Sequence, residues 1–110
     1  MAAADLLRRK GYDILAANFR TRLGEIDIVA ADSRYLAFVE VKTRAAGSLV
    51  TPREAVDSRK RHRLILAAEE YLARHPTHLQ PRFDVIEVET EPAVDFRVRS
   101  LRHIPDAFGA

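Results

Sequence analysis

Three ionisable residues of this sequence, Asp27, Glu40 and Lys42, have the types and spacing needed for phosphodiester chemistry. Carboxylate oxygens are ligands that Mg²⁺ and Mn²⁺ accept readily. A cation bound by Asp27 and Glu40 would polarise a phosphoryl oxygen and lower the pKa of a bound water. The Lys42 ammonium would stabilise the negative charge that develops, or hold the attacking water. The set predicts a metal-dependent phosphodiesterase site, provided that the chain brings the three residues together.

The elements that must position this set are two strands. Segments 24–32 and 35–42 both alternate with a period of two, which is typical of half-buried strands. Only Ser33 and Arg34 separate them, so we expect an antiparallel hairpin closed by a two-residue loop.

Such a hairpin pairs residues whose numbers sum to 67, which places Asp27 opposite Glu40 and Glu25 opposite Lys42. Directly opposite residues have Cβ atoms about 4.5–5.5 Å apart, and like charges in that position destabilise a sheet. A divalent cation between the carboxylates would turn this repulsion into attraction. The same alternation places Ile26 and Ile28 together on the face opposite Asp27.

A strand with one solvated face shows the same alternation, and short Asp…Glu-x-Lys patterns arise often by chance. Val29 and Phe38 lie further along the acidic face, which indicates a buried face that becomes acidic at one end. Some clusters of ionisable residues mark functional sites, and others are structural ion pairs. Spacing alone therefore leaves both interpretations open.

A longer set of residues resembles a known family. The matching segments are 24–27, 38–44, 11–15, 18–20, Lys60 and 82–85, which span nearly the whole chain. They resemble the YraN-like bacterial family of the PD-(D/E)XK superfamily, which includes restriction-endonuclease-like and Holliday-junction-resolvase-like proteins.

This resemblance implies an α/β fold with a restriction-endonuclease-like αβββαβ core, in which helices flank a central mixed sheet. It implies Mg²⁺ or Mn²⁺ at Asp27 and Glu40, helped by the Val41 carbonyl and Glu25, and products with 5′-phosphate and 3′-hydroxyl ends. Lys60 matches a recurrent basic residue that would orient water or the scissile phosphate. The family also carries a Glu in the first helix, and residues 1–10 contain none.

The front of a predicted helix is unusually basic. Asp57–Ser58 would separate a short helix, which begins with a capping box at Thr51, from a longer helix ending before Pro76. Cations in a first helical turn oppose the helix dipole, so we interpret the cluster there as a phosphate-facing surface rather than a solvated face. The predicted nucleic-acid-binding residues are Arg44, Arg53, Arg59, Lys60, Arg61 and Arg63.

The remaining segments complete the expected fold. They are a helix over 2–10, strands over 12–20 and 82–89, and an edge strand over 94–99 followed by a tail. A helix before the 82–89 strand favours its parallel pairing with the Glu-x-Lys strand. Within it, Asp84 is expected to satisfy local backbone or an Arg, and the four histidines are expected at the surface because they show no metal-ligand spacing.

The composition limits the class of protein to which the chain can belong. A chain of 110 residues with 47% hydrophobic and 31% charged residues predicts one globular domain over 1–110. No apolar run reaches the roughly 18 residues of a membrane span, and no export signal or cysteine is present, so the prediction is a cytoplasmic protein without a membrane partner. A net charge of +2 slightly favours an anionic partner.

The leading hypothesis is a metal-dependent endonuclease acting on DNA, including branched or junction DNA. A second hypothesis is a catalytically weak or inactive nucleic-acid-binding module on the same fold, and a third is a structural adaptor whose sheet edge pairs with a partner. The sequence leaves open whether the substrate is duplex, junction, single strand or RNA, because scattered arginines do not reveal base readout. The oligomeric state is equally open, although a dimer would suit a junction.

Overall fold

The computed structural model describes residues 1–45, 58–91 and 97–109. The elements are α1 (Ala2–Arg9), β1 (Asp13–Arg20), β2 (Glu25–Ala31), β3 (Tyr35–Ala45), α2 (Ser58–Arg74), β4 (Gln80–Glu91) and β5 (Arg97–Phe108). The five strands form one sheet in the order β1-β2-β3-β4-β5, with β3 and β4 parallel and the other neighbours antiparallel. This confirms an α/β fold with a mixed sheet. The predicted capping box at Thr51, the basic residue Arg53 and the start of the predicted 94–99 strand lie outside the described residues.

The β2–β3 hairpin has the predicted register. Its paired residues run from Ile28 with Val39 to Ala31 with Leu36, and each pair sums to 67. The loop is closed by Asp32, whose Oδ1 accepts the backbone N–H groups of Arg34 and Tyr35 at 2.8 and 2.7 Å. These bonds stabilise the charged carboxylate, and the pKa of Asp32 is lowered accordingly.

The two helices cover opposite faces of the sheet. Leu7 of α1 packs in a buried cluster with Ile28 and Ile86, whereas Tyr71 of α2 packs in a second cluster with Ile26. The i, i+4, i+7, i+8 spacing of the longer helix predicts an inward stripe of Leu64, Ala68, Tyr71 and Leu72. The first three are buried, and Leu72 is partly buried against the same cluster.

The prediction that Ile26 and Ile28 share a face is wrong, because these residues belong to the two different clusters. The neighbouring strand β1 changes face at the same place. Asn18 of β1 has a φ of 54°, a left-handed conformation that interrupts the alternation of a strand. The ladder therefore pairs Phe19 with Ile26 beside α2, and pairs Ala17 with Ile28. Asp27 lies at this change of phase.

Strand β5 extends well beyond the predicted 94–99 segment, and the predicted tail is part of it. Pro105 and Asp106 suggested a tail, yet β5 is the outermost strand of the sheet, where a residue without an N–H group is tolerated. Asp106 has a φ of 51°, and its N–H donates to the buried carboxylate of Asp84 at 2.9 Å. The strand thus continues because its backbone satisfies a buried group of β4.

Candidate metal and phosphate site

A cavity of about 210 Å³ opens where the ends of β2 and β3 meet the first turns of α2. Its lining residues are Glu25, Asp27, Glu40, Lys60, Arg63 and Leu64. Five of these six, all except Leu64, belong to the set predicted for metal or phosphate contact on the strands and the helix. The fold therefore brings Asp27, Glu40 and Lys60 to one place, as the sequence predicted.

Asp27 is fixed by the backbone of the neighbouring strand. Its Oδ2 accepts the N–H group of Val41 at 2.7 Å, beyond the last regular pair of the β2–β3 ladder at Ile28 and Val39. The bond from the Val41 N–H to the Asp27 side chain thus replaces a backbone bond of the ladder, and the Asp27 carboxylate lies beside Glu40. Val41, predicted as a metal ligand through its carbonyl, has a role here through its amide.

Glu40 is largely buried, with 17% of its side chain exposed, and its Oε1 lies 3.3 Å from Lys42 Nζ. Burial raises the pKa of Glu40, and the charge of Asp27 together with a hydrogen bond between the two carboxyl groups raises it further. Such a pair favours a proton or a cation between its members. This is the electrostatic condition that the sequence predicted for opposed carboxylates.

Lys42 lies beside this pair with 17% of its side chain exposed. Burial lowers the pKa of its ammonium, but the charge of Glu40, a hydrogen bond to Glu40 and the charge of Asp27 raise it, and the net shift is upward. Lys42 therefore stays charged beside the two carboxyl groups.

The donor set fits a hard cation. Mg²⁺ is commonly bound by one or two carboxylates together with waters and substrate phosphates, and Asp27 and Glu40 supply two. Across residues 1–45, 58–91 and 97–109, no group of three or more His, Cys, Asp or Glu side chains is arranged to hold a metal. Glu25 lines the cavity but forms an ion pair with Arg20, with 3.4 Å between its Oε2 and Arg20 Nε.

The predicted basic residues take different positions. Lys60 and Arg63 line the cavity, and Arg59 is exposed in the first turn of α2. The guanidinium of Arg61 lies over the ring of Phe108, 5.1 Å from its centroid. Arg44 forms ion pairs with two glutamates of β4. Of the described residues predicted to bind nucleic acid, Lys60 and Arg63 thus line the same cavity as the carboxylates.

One of these glutamates, Glu87, was not identified from the sequence. It is only 5% exposed, pairs in register with Lys42, and lies 2.6 Å from Arg44 Nε through its Oε1. The predicted parallel pairing of β4 with the Glu-x-Lys strand was the signal that could have placed Glu87 beside Lys42.

A second polar cluster lies around Asp84, which is fully buried. Asp84 accepts hydrogen bonds from Arg82 Nε and Nη2, both at 2.8 Å, and its Oδ2 lies 2.7 Å from His103 Nε2. Burial raises the pKa of Asp84, but these partners together lower it below the ordinary value. The expectation that Asp84 satisfies local backbone or an Arg is confirmed for the Arg, which is Arg82. The expected surface position of His103 is wrong, since only 2% of its side chain is exposed.

No helix within the described part of the chain is long and apolar enough to cross a membrane.

Comparison with known proteins gives a consistent result. A family model described as "Uncharacterised protein family UPF0102" matches residues 1–88. A UPF0102 protein of Symbiobacterium thermophilum is 50% identical over 110 residues, covering 99% of this chain and 91% of its own length. One from Rhodopseudomonas palustris is 45% identical over 111 residues, covering 99% and 78%. One from Caldanaerobacter subterraneus is 41% identical over 107 residues, covering 96% and 87%.

Proposed function

This chain belongs to the uncharacterised protein family UPF0102, and we propose that it is a metal-dependent endonuclease that hydrolyses phosphodiester bonds in DNA. The YraN-like resemblance is confirmed as family membership, whereas the PD-(D/E)XK superfamily and its restriction-endonuclease-like core are part of the proposal. The observation that carries the proposal is the Asp27–Glu40 carboxyl pair, which lies in a cavity together with Lys60. A fold holds two carboxyl groups together at a cost, and binding of a cation offsets that cost.

The residues of the chain divide the work. Asp27 and Glu40 would hold Mg²⁺ or Mn²⁺, and the amide of Val41 keeps Asp27 oriented for this role. The bound metal supplies a polarised phosphoryl oxygen and a water of lowered pKa. Lys42 is paired with Glu40 before substrate arrives. From this position its ammonium would reach a phosphate oxygen of the substrate and stabilise the negative charge that develops there.

Helix α2 supplies the attraction for the DNA backbone. Lys60 and Arg63 are three residues apart on one face of the helix, and both line the cavity. They can contact the phosphates on either side of the scissile bond. Binding by such contacts weakens as salt is added, because each contact releases counterions from the nucleic acid.

The test is cleavage by a Lys42→Ala variant under single-turnover conditions with Mg²⁺ or Mn²⁺. We expect a rate roughly 10²–10³-fold below wild type, the scale for loss of one electrostatic stabiliser of a transition state. Affinity for DNA in Ca²⁺ should change far less, because α2 supplies most of the phosphate attraction. Lys10→Ala is the matched control, since Lys10 is exposed and contacts His103 rather than the cavity.

Two results would count against the proposal in different ways. A Lys42→Ala variant that cuts as fast as wild type would remove Lys42 from the chemistry. A wild type that cuts nothing with either metal, across a panel of branched, duplex and single-stranded DNA and of RNA, would end the nuclease assignment. The same panel identifies the substrate structure.

One observation favours a second candidate, a nucleic-acid-binding module without catalysis. Glu25, which was expected to help Asp27 and Glu40 hold the metal, is instead paired with Arg20. The site therefore offers less negative charge to a cation than the sequence predicted. In this case DNA would bind with a salt dependence set by α2, and no substrate of the panel would be cut.

A further inference from the structure

The turn between β1 and β2 is tightly fixed by one threonine. The N–H of Thr21 donates to the carbonyl oxygen of Gly24 at 2.8 Å. In the other direction, Thr21 Oγ1 accepts the N–H groups of Leu23 and Gly24 at 3.0 and 3.1 Å. This turn leads directly into Glu25 and Asp27 of the candidate site.

Gly24 lies against the backbone of α2. A Cβ atom at this position would be 2.1 Å from the carbonyl oxygen of Arg63 and 2.8 Å from its carbonyl carbon. Gly24 is buried and does not have a positive φ, so lack of space, and not backbone freedom, is what requires glycine here. Both partners are backbone, so a side chain at position 24 could be accommodated only by separating the turn from the helix.

This contact sets the width of the cavity. On one side, Gly24 is three residues from Asp27 along the chain. On the other side, Arg63 is one helical turn from Lys60, and both line the cavity. We propose that Gly24, held by Thr21, is a positioning residue that fixes the distance between the basic face of α2 and the Asp27–Glu40 carboxyl pair.

The expected effect on the cleavage rate rests on the proposed function, whereas the expected change in distance between α2 and the carboxyl pair does not. An alanine at position 24 would need at least roughly 0.9 Å of separation to move from 2.1 Å to the 3.0 Å below which real Cβ contacts are essentially never found. Misplacement of about 1 Å can cost on the order of 10²-fold in the rate of a positioned reaction. The carboxyl pair should stay intact, because the Val41 amide on β3 holds Asp27.

The experiment compares Gly24→Ala with Gly109→Ala, a control position where an added Cβ meets nothing within 4 Å. The first measurement is chemical cross-linking of Lys42 to Lys60 by a short amine-reactive reagent, without metal or DNA. Lys42 Nζ lies 3.3 Å from Glu40 Oε1, Glu40 lines the cavity together with Lys60, and only three lysines are present in the chain. We expect the yield of this cross-link to fall several-fold in Gly24→Ala and to stay at the wild-type value in Gly109→Ala.

The second measurement separates positioning from metal binding. Gly24→Ala should retain the shift in melting temperature that Mn²⁺ produces in wild type, while its single-turnover rate falls roughly 10²-fold and its salt slope for DNA binding in Ca²⁺ becomes shallower. Loss of the Mn²⁺ shift would mean that the substitution disrupts the carboxyl pair itself, which overturns the inference. A cross-link yield equal to that of Gly109→Ala would also overturn it.

Thr21→Ala keeps the inference testable if Gly24→Ala does not fold. It removes the acceptor of the two turn amides and adds no atoms, so the same changes should appear with smaller size. Thr77→Ala is its control, because Thr77 Oγ1 accepts the N–H of Leu79 at 3.1 Å in a comparable turn elsewhere. A folded Thr21→Ala that matches Thr77→Ala in cross-linking would refute the positioning role. A wild type that cross-links as expected but neither takes up metal nor cuts DNA would refute only the proposed function.

Discussion

Replacement of Asp27 by Asn separates the charge of this residue from its shape. Asp27 Oδ2 accepts the Val41 N–H at 2.7 Å, and the carbonyl oxygen of Asn can accept the same bond. The strand geometry should therefore survive, and the negative charge facing Glu40 is the main loss. Since that charge contributes to the raised pKa of Glu40, its removal should return this pKa towards the ordinary value.

The two states of the site then predict opposite signs. Without metal, relief of two opposed carboxylates should raise the free energy of unfolding by about 0.2–1 kcal/mol, the scale for a cross-strand pair. With Mg²⁺ or Mn²⁺ at about a hundred times its dissociation constant, wild type should gain about 2.7 kcal/mol through linkage. For a domain of this size that gain is roughly 10–20 °C in melting temperature. Asp27→Asn should show little of it.

The assay is thermal unfolding with and without metal at matched ionic strength, together with urea unfolding in metal-free buffer. Asp5→Asn is the control, because Asp5 is an exposed carboxylate of α1 that pairs with Arg8. Equal metal stabilisation of wild type and Asp27→Asn would mean that the cation binds elsewhere. A metal-free Asp27→Asn that is destabilised by more than about 2 kcal/mol, beyond what a lost cross-strand pair explains, would mean that the negative charge of Asp27 stabilises the apo fold.

Three further predictions follow from the same contacts. In metal-free buffer, the free energy of unfolding should decrease as pH rises through the raised pKa of Glu40, because the carboxyl group keeps its proton to a higher pH in the folded state than in the unfolded state, where its pKa is near 4.5. Urea unfolding at a series of pH values should show that Glu40→Gln removes this dependence. Asp84→Asn should cost about 3–5 kcal/mol in urea unfolding, since it leaves the Arg82 guanidinium, only 11% of whose side chain is exposed, without its counter-charge. Because the pKa of Asp84 is lowered, its contribution to wild-type stability is present above the unfolded pKa and is lost as pH falls through the folded one. Replacing Lys60 and Arg63 together by Gln should reduce the salt slope of DNA binding by about 1.8, and an unchanged slope would show that this face of α2 is only solvated.

The hairpin and its acidic pair were accessible from sequence because both depend on local rules. A two-residue loop fixes register, and register fixes which side chains are opposed. The ladder runs in the predicted register from Ala31–Leu36 to Ile28–Val39, and the Asp27 carboxylate accepts the Val41 N–H just beyond it. The basic character of α2 was equally visible, because cations in a first helical turn oppose the helix dipole.

What the sequence did not reveal depends on contacts between distant segments. The left-handed Asn18 lies between the β1 residues that pair with Ile26 and Ile28, which face opposite sides of the sheet, and a period-two pattern does not anticipate this change of face. His103 is buried because Asp84, nineteen residues earlier on the adjacent strand, requires a partner. The approach of Gly24 to Arg63 likewise depends on how α2 packs against the sheet. Alternation and capping signals carry no information about such docking.

The division of the site between a hairpin and a helix has a consequence for the order in which the protein folds. The carboxyl pair belongs to strands joined by a two-residue loop, and hairpins form in about 1–10 μs. Lys60 belongs to α2, which lies between β3 and β4 in the sequence. Helix α2 docks together with the non-local parallel pairing of β4 with β3, and such pairings form late because loop closure must come first. Along this route the opposed carboxylates exist before the helix cations that offset them. A divalent cation present during refolding would neutralise them at that stage, and would accelerate folding as well as slow unfolding.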